Sequence, residues 1–138
     1  QYQSMPRGFT VWVDTDFAGC LESRIYTSGG VVMYGSHLVK HWSTTQPVIA
    51  LSSGEAENYG VVKGACYGLG MKGLAVDLGL QARLALTCNT DASAAKGIAS
   101  RKGLSKTRLI VAHFLWFQER VAAKDISVSK VWGRSFRR

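Results

Sequence analysis

The sequence predicts an α/β fold, a five-stranded mixed sheet in the order β-β-β-α-β-α-α-β with helices on its faces. Three observations predict it. Short runs rich in β-branched and aromatic residues recur at 9–14, 31–35, 38–43, 83–89 and 126–132, separated by turn-forming residues. A helical apolar period runs through "LSSGEAENYGVVKGACYGLGMKGLAVDLGL". A second helical run, from about Thr107 to Ala123, follows a basic loop. At 138 residues the chain reads as one domain, large enough for a real core.

The elements follow in order. "FTVWVD" (9–14) favours a pleated, half-buried strand and closes on Asp14. "TSGG" (27–30) reads as a turn; "VVMYG" (31–35) and "LVKHWS" (38–43) read as the second and third strands, joined by a tight Gly-Ser connection. Pro47 falls in the loop that follows. The first helix has Ser52 as N-cap and Glu55 three residues on, a capping box. Its apolar residues recur at Ala56, Tyr59, Val62, Ala65, Cys66, Leu69 and Leu74. Glycines at 60, 64, 68, 70 and 73 each weaken a helix by up to about 1 kcal/mol relative to Ala, so a bend or close packing is expected there. Gly79 ends the helix. "RLALTCN" (83–89) alternates, a fourth strand pointing at Asp91. "ASAAKGIAS" (92–100) is a short helix, and "RKGLSK" leads into the long one. "ISVSKVW" (126–132) is the last strand. Residues 1–8 read as a linker, 9–132 as one domain and 133–138 as a basic tail.

The formal net charge of +8 is unevenly placed. Residues 1–95 carry six Lys/Arg against seven Asp/Glu, and residues 96–138 carry eleven against two. A basic C-terminal third suggests a polyanion partner, with a solvated basic face as the alternative. No apolar run approaches the roughly 18 residues that span a bilayer, and no signal peptide opens the chain. The three cysteines, Cys20, Cys66 and Cys88, form no CxxC pair and read as free thiols in a reducing compartment. An intracellular location is therefore expected.

Three acids fall at corresponding places. Asp14 closes the first strand, Glu57 lies one turn into the first helix, and Asp91 follows the fourth strand. Strands one and four can be neighbours in this order, which would bring the three carboxylates to one sheet edge. Like charges held close repel unless a cation neutralises them. Oxygen-only ligands suit Mg²⁺ or Mn²⁺, and two such ions about 3.5–4 Å apart would clamp the attacking water and leaving oxygen of a phosphodiester. Taken singly, the two aspartates read as turn formers and Glu57 as a surface helix residue.

The blocks "VDTDFAGC", "TSGG", "ALSSGEAENYG", "NTDASAAK" and "GLSKTRLI" resemble, in this order, those of the ribonuclease H domain encoded by copia-type LTR retrotransposons, part of a retrovirus-related Pol polyprotein. The resemblance covers about residues 9–132. It implies a ribonuclease H-like fold and metal-dependent hydrolysis of the RNA strand of RNA–DNA hybrids. It also implies an adjacent reverse transcriptase domain as a partner. Residue by residue, Asp14, Glu57 and Asp91 match the catalytic and metal-binding acids, with Asp16 secondary; Glu55 is assigned to the capping box. The family's His-Ile-Asp/Glu run is here Leu109, Ile110 and Val111, and Asn58 stands where an aromatic is usual. The family's closing Asn-Pro-Ala-Asp segment, whose Asp resembles a fourth metal ligand, has no counterpart before "VWGRSFRR".

Groups that read 2′-hydroxyls would select RNA. Ser52 and Ser53, at the helix start, are candidates, with helix capping as their plain alternative. Lys96, Arg101, Lys102, Lys106 and Arg108 could track phosphates of the DNA strand. "GLGMKG" (68–73) fits GxGxxG but sits inside a helical run, so dinucleotide binding is set aside. His37 and His41 are too far apart along a strand to share a metal, His113 reads as structural, and Phe114, Trp116 and Phe117 read as core. Two alternatives to the nuclease stand: a nucleic-acid-binding module of the same fold without turnover, and an integrase or transposase core. The latter places its glutamate after the second aspartate, and the order here is Asp, Glu, Asp. The sequence carries no sign of oligomeric state.

Overall fold

A computed structural model describes residues 4–16, 26–47, 49–50, 53–80, 83–90 and 108–131, without the side chains of Asp16, Ser53, His113, Phe114 and residues 108–111. The elements are β1 (Gly8–Asp16), β2 (Thr27–Tyr34), β3 (His37–Thr45), α1 (Ser53–Asp77), β4 (Ala85–Thr90), α2 (Arg108–Ala122) and β5 (Ser127–Lys130). The sheet order is β3-β2-β1-β4-β5. β1, β2 and β3 form an antiparallel meander, because Gly35 and Ser36 close the β2–β3 turn and Gly35 takes a positive φ of 61°. β4 lies parallel to β1 and β5 parallel to β4. A parallel neighbour cannot be reached by a tight turn, and α1 makes the crossover from the meander to β4. The expected five-stranded mixed α/β sheet is thus present, and the short helix expected over 92–100 lies outside the described residues.

Alternation decides what the sheet buries. Phe9, Val11 and Val13 of β1, Val32 of β2, Trp42 of β3, and Leu86 and Cys88 of β4 form one buried cluster with Val61, Val62 and Ala65 of α1. Phe117 of α2 and Ile126 complete it, both essentially inaccessible to solvent. Phe117 is therefore core, as expected, and Trp116 packs against it part-buried.

α1 reaches the sheet through glycines. A Cβ at Gly60 would overlap Thr15, one at Gly64 would overlap Val13, and one at Gly68 would stand 2.6 Å from Leu86 Cδ1. Three bare positions at four-residue spacing let the helix backbone approach β1 and β4 directly. The contacts move from Thr15 to Val13 to Val11 as α1 advances, so the helix runs back along β1. The first turns of α1 accordingly lie over the C-terminal end of β1.

Several expectations need correction. "TSGG" is not a turn but the first half of β2; Gly30 leaves room for the Trp42 indole, which a Cβ there would strike, and for the Trp12 carbonyl. β1 runs through Asp16, so Asp14 stands two residues before the strand's end. The apolar series assigned to α1 is only partly its buried face: Cys66 is exposed and Leu74 is 51% exposed, because the glycine ridge does the seating. β5 is shorter than expected, ending at Lys130. The C-terminal end of α1 falls at Gly79, as the sequence suggests, and the Ser52 cap lies outside the described residues. Leu80 N–H donates to Ala75 O and Gly79 N–H to Val76 O (both 2.9 Å), a Schellman motif with Gly79 at a φ of 77°. α2 closes the same way around Lys124 at a φ of 61°, and there an Arg120–Asp125 ion pair of 3.0 Å spans the cap.

Candidate active site

The chain path divides at β1, with β2 and β3 built to one side and β4 and β5 to the other. In open α/β sheets the crevice beyond the C-terminal ends of strands at such a switch point is where ligands bind. Here Val13 pairs with Thr90, the last residue of β4, and β1 runs three residues further, to Asp16. Asp14 directly follows Val13. It is exposed, whereas Val13 is buried and the Thr15 hydroxyl meets α1.

Glu57 is half-buried in α1, one turn before Gly60, which rests on Thr15 and close to Ser28. The helix segment carrying Glu57 therefore starts at the same end of the sheet as Asp14. Ala56, its neighbour, is fully buried in a small cluster with Tyr26 and Ala50.

Behind these acids lies a buried polar seam that sequence reasoning did not foresee. Gln46, buried just past β3, donates from its backbone N–H to Tyr26 O at 2.8 Å. Its side-chain amide nitrogen lies 2.5 Å from Ser28 Oγ and 2.8 Å from Ala56 O. A carbonyl oxygen only accepts, so the Ala56 contact fixes which end of the carboxamide is nitrogen. Gln46 Oε1 is then left buried without a hydrogen-bond partner among the described residues, as are Thr15 Oγ1 and Asn58 Oδ1. Each such orphan costs about 1–3 kcal/mol. Asn58, buried at 5% exposure, is the residue standing in the resembling family's aromatic position. The available signal was weak: a glutamine before Pro47 reads as a loop residue, and nothing in its neighbours announces burial.

The remaining predicted residues divide simply. Asp91, Ser52, Lys96, Arg101, Lys102 and Lys106 lie outside the described residues, as do the side chains of Asp16, Ser53 and Arg108. Among the described residues no three His, Cys, Asp or Glu side chains gather into a metal-binding group. The donors that are described, the carboxylates of Asp14 and Glu57, are hard oxygens and suit a hard divalent cation. His37 and His41 are exposed along β3. Two lysines unremarked in the sequence flank α1: Lys63 donates to Thr44 Oγ1, and Lys40 Nζ sits 4.6 Å from the Tyr67 ring centroid. Cys66 and Cys88 are free thiols. Burial pushes the Cys66 thiol up, and burial followed by the nearby Cys66 pushes Cys88 up to about 12. No described helix is long and apolar enough to cross a membrane.

No family model and no curated protein matches the sequence. Solved structures do match the fold. LC11-RNase H1, isolated from compost, superposes with a TM-score of 0.63 at 12% identity, over 94% of this chain and 87% of its own. RNase H1 from the halophilic archaeon Halobacterium salinarum gives 0.57 at 14% identity, over 92% and 87%. The N-terminal RNase H domain of a Mycobacterium tuberculosis protein gives 0.57 at 15%, over 90% and 86%. A further structure of LC11-RNase H1 holds an RNA/DNA hybrid. At such identities the likeness establishes a ribonuclease H-like fold and nothing finer.

Proposed function

We propose that this chain is a metal-dependent endoribonuclease that hydrolyses the RNA strand of RNA–DNA hybrids, within a retrotransposon polyprotein that also supplies a reverse transcriptase. One observation carries the reading: on a ribonuclease H-like sheet, Asp14, the first residue of β1 past the end of its parallel neighbour β4, and the Glu57-bearing turn stand at the same end of the sheet. Asp91 follows Thr90 directly in sequence, and we assign it as the third acid. Asp14, Glu57 and Asp91, with Asp16 beside them, would hold two Mg²⁺ or Mn²⁺ ions. Bound there, such ions supply activation of the attacking water and neutralisation of the leaving oxygen.

The chain's own groups do the rest. The clustered carboxylates make the cleft favourable for cations and unfavourable for bare phosphate, so hybrid binding and cation binding reinforce one another. Ser52 and Ser53, at the start of α1, are assigned to the RNA backbone, where amide N–H groups at a helix start meet anions. Lys96, Arg101, Lys102, Lys106 and Arg108 are assigned to DNA-strand phosphates. The hybrid complex of LC11-RNase H1 supports the substrate class.

The test is cleavage of an end-labelled hybrid by the purified chain in Mg²⁺ or Mn²⁺. Asp14→Asn, Glu57→Gln and Asp91→Asn should each lower the rate at least about 100-fold while leaving far-UV circular dichroism unchanged. Hybrid binding without cleavage by the intact chain at any cation concentration would instead leave a binding module without turnover.

A further inference from the structure

We infer that Gln46 is a positioning residue for Glu57, holding the helix turn that carries its carboxylate at a fixed offset from Asp14. The inference rests on the metal-site reading above. The carbonyl Gln46 grips is that of Ala56, and this carbonyl belongs to the peptide bond joining Ala56 to Glu57. The same amide nitrogen reaches Ser28 Oγ, and Ser28 pairs across the sheet with Thr15, the residue after Asp14. Gly60, one turn beyond Glu57, closes the circuit by resting on Thr15. A continuous seam, Thr15–Ser28–Gln46–Ala56, therefore links the neighbour of one acid to the neighbour of the other.

Geometry alone would allow a packing role, but the chemistry argues otherwise. Gln46 is buried, with its Oε1 unmatched among the described residues. A methionine would fill nearly the same volume with no orphaned oxygen, so the amide is a poor choice for filling space. What the amide adds is a directed grip on one peptide plane. A carboxylate that must meet a cation with a second carboxylate tolerates little displacement, because ligand geometry supported from behind typically changes affinity 10–100-fold when the support is removed.

Gln46→Met and Ser28→Ala test this, with Mn²⁺ binding followed by electron paramagnetic resonance and hybrid cleavage followed in parallel. Gln46→Met should keep its thermal midpoint within a few degrees of the parent, yet bind Mn²⁺ at least about 10-fold more weakly. Its cation requirement for cleavage should rise by the same factor. Ser28→Ala keeps the Ala56 grip and should bind Mn²⁺ within about threefold of the parent, a difference that loss of packing would not produce. Should Gln46→Met fail to fold, Gln46→Leu, which likewise lacks the amide donors, carries the same expectation. Parental Mn²⁺ affinity in the folded variant would overturn the role of Gln46 while leaving the metal site standing. An intact chain that neither binds Mn²⁺ nor cuts hybrid would overturn both.

Discussion

At the scale of single residues, charge and burial pull Asp14 and Cys88 in opposite directions. Asp14 is exposed at the open end of β1, while Cys88, on the neighbouring strand, is 1% exposed beneath α1. Burial holds the Cys88 thiol protonated, up to about 12, whereas an unfolded chain would lose that proton near the ordinary value of 9.0. A folded-state value raised above the unfolded one gives stability that is complete below about pH 9. That stability drains away as pH climbs toward 12. Cys88→Ala should be less stable at neutral pH and show a shallower loss between pH 9 and 11 in urea titrations; equal slopes for the two proteins would exclude the thiol as the cause. The acids were legible because their residue types and spacing are unusual. Gln46, Thr15 and Ser28 were not, because a polar residue's burial depends on partners distant in sequence.

At the scale of elements, α1 shows what a pattern can and cannot say. Its extent was readable from period and from Gly79, and the structure ends it at Asp77 with the Schellman bonds expected of such a glycine. Its orientation was not: the glycines pointed to a bend or close packing, without telling which of them meet the sheet. They are of two kinds. Gly60, Gly64 and Gly68 contact the sheet, whereas a Cβ at Gly70 or Gly73 would meet nothing within 4 Å among the described residues. Gly70→Ala and Gly73→Ala should each stabilise the protein by about 0.5–1 kcal/mol, through helix propensity and a less free unfolded chain. Gly64→Ala should destabilise it by about 1–3 kcal/mol, because Val13 lies in the way. Urea midpoints with an unchanged m-value read both signs; a stabilising Gly64→Ala would disprove the seating. The same blindness misplaced "TSGG", where a local turn signature lost to the space required by Trp42.

At the scale of the molecule, charge and fold divide the labour. The element order, the mixed sheet and the neighbouring of β1 and β4 were legible because strand runs and helical runs alternate in one recognisable order, whereas the place of β5 beside β4 was not. The site was legible only as three acids and a resemblance; the placing of Asp14 just past the end of β4 emerges from pairing that no local pattern encodes. The excess of nine positive charges over residues 96–138 predicts strongly salt-dependent hybrid affinity for the Asp14→Asn protein. Lys102→Ala should lower the slope of log affinity against log salt by about one. A slope that does not change would remove that loop from the interface.

The bare ridge of α1 carries one more consequence. Where two elements touch through side chains, small shifts are absorbed as rotamers adjust. Between Gly64 and Val13 no such cushion exists on the helix side. Helix and strand must therefore travel as one stiff body, and the gap separating the two acids is governed by main-chain packing, opening only if the layers themselves part.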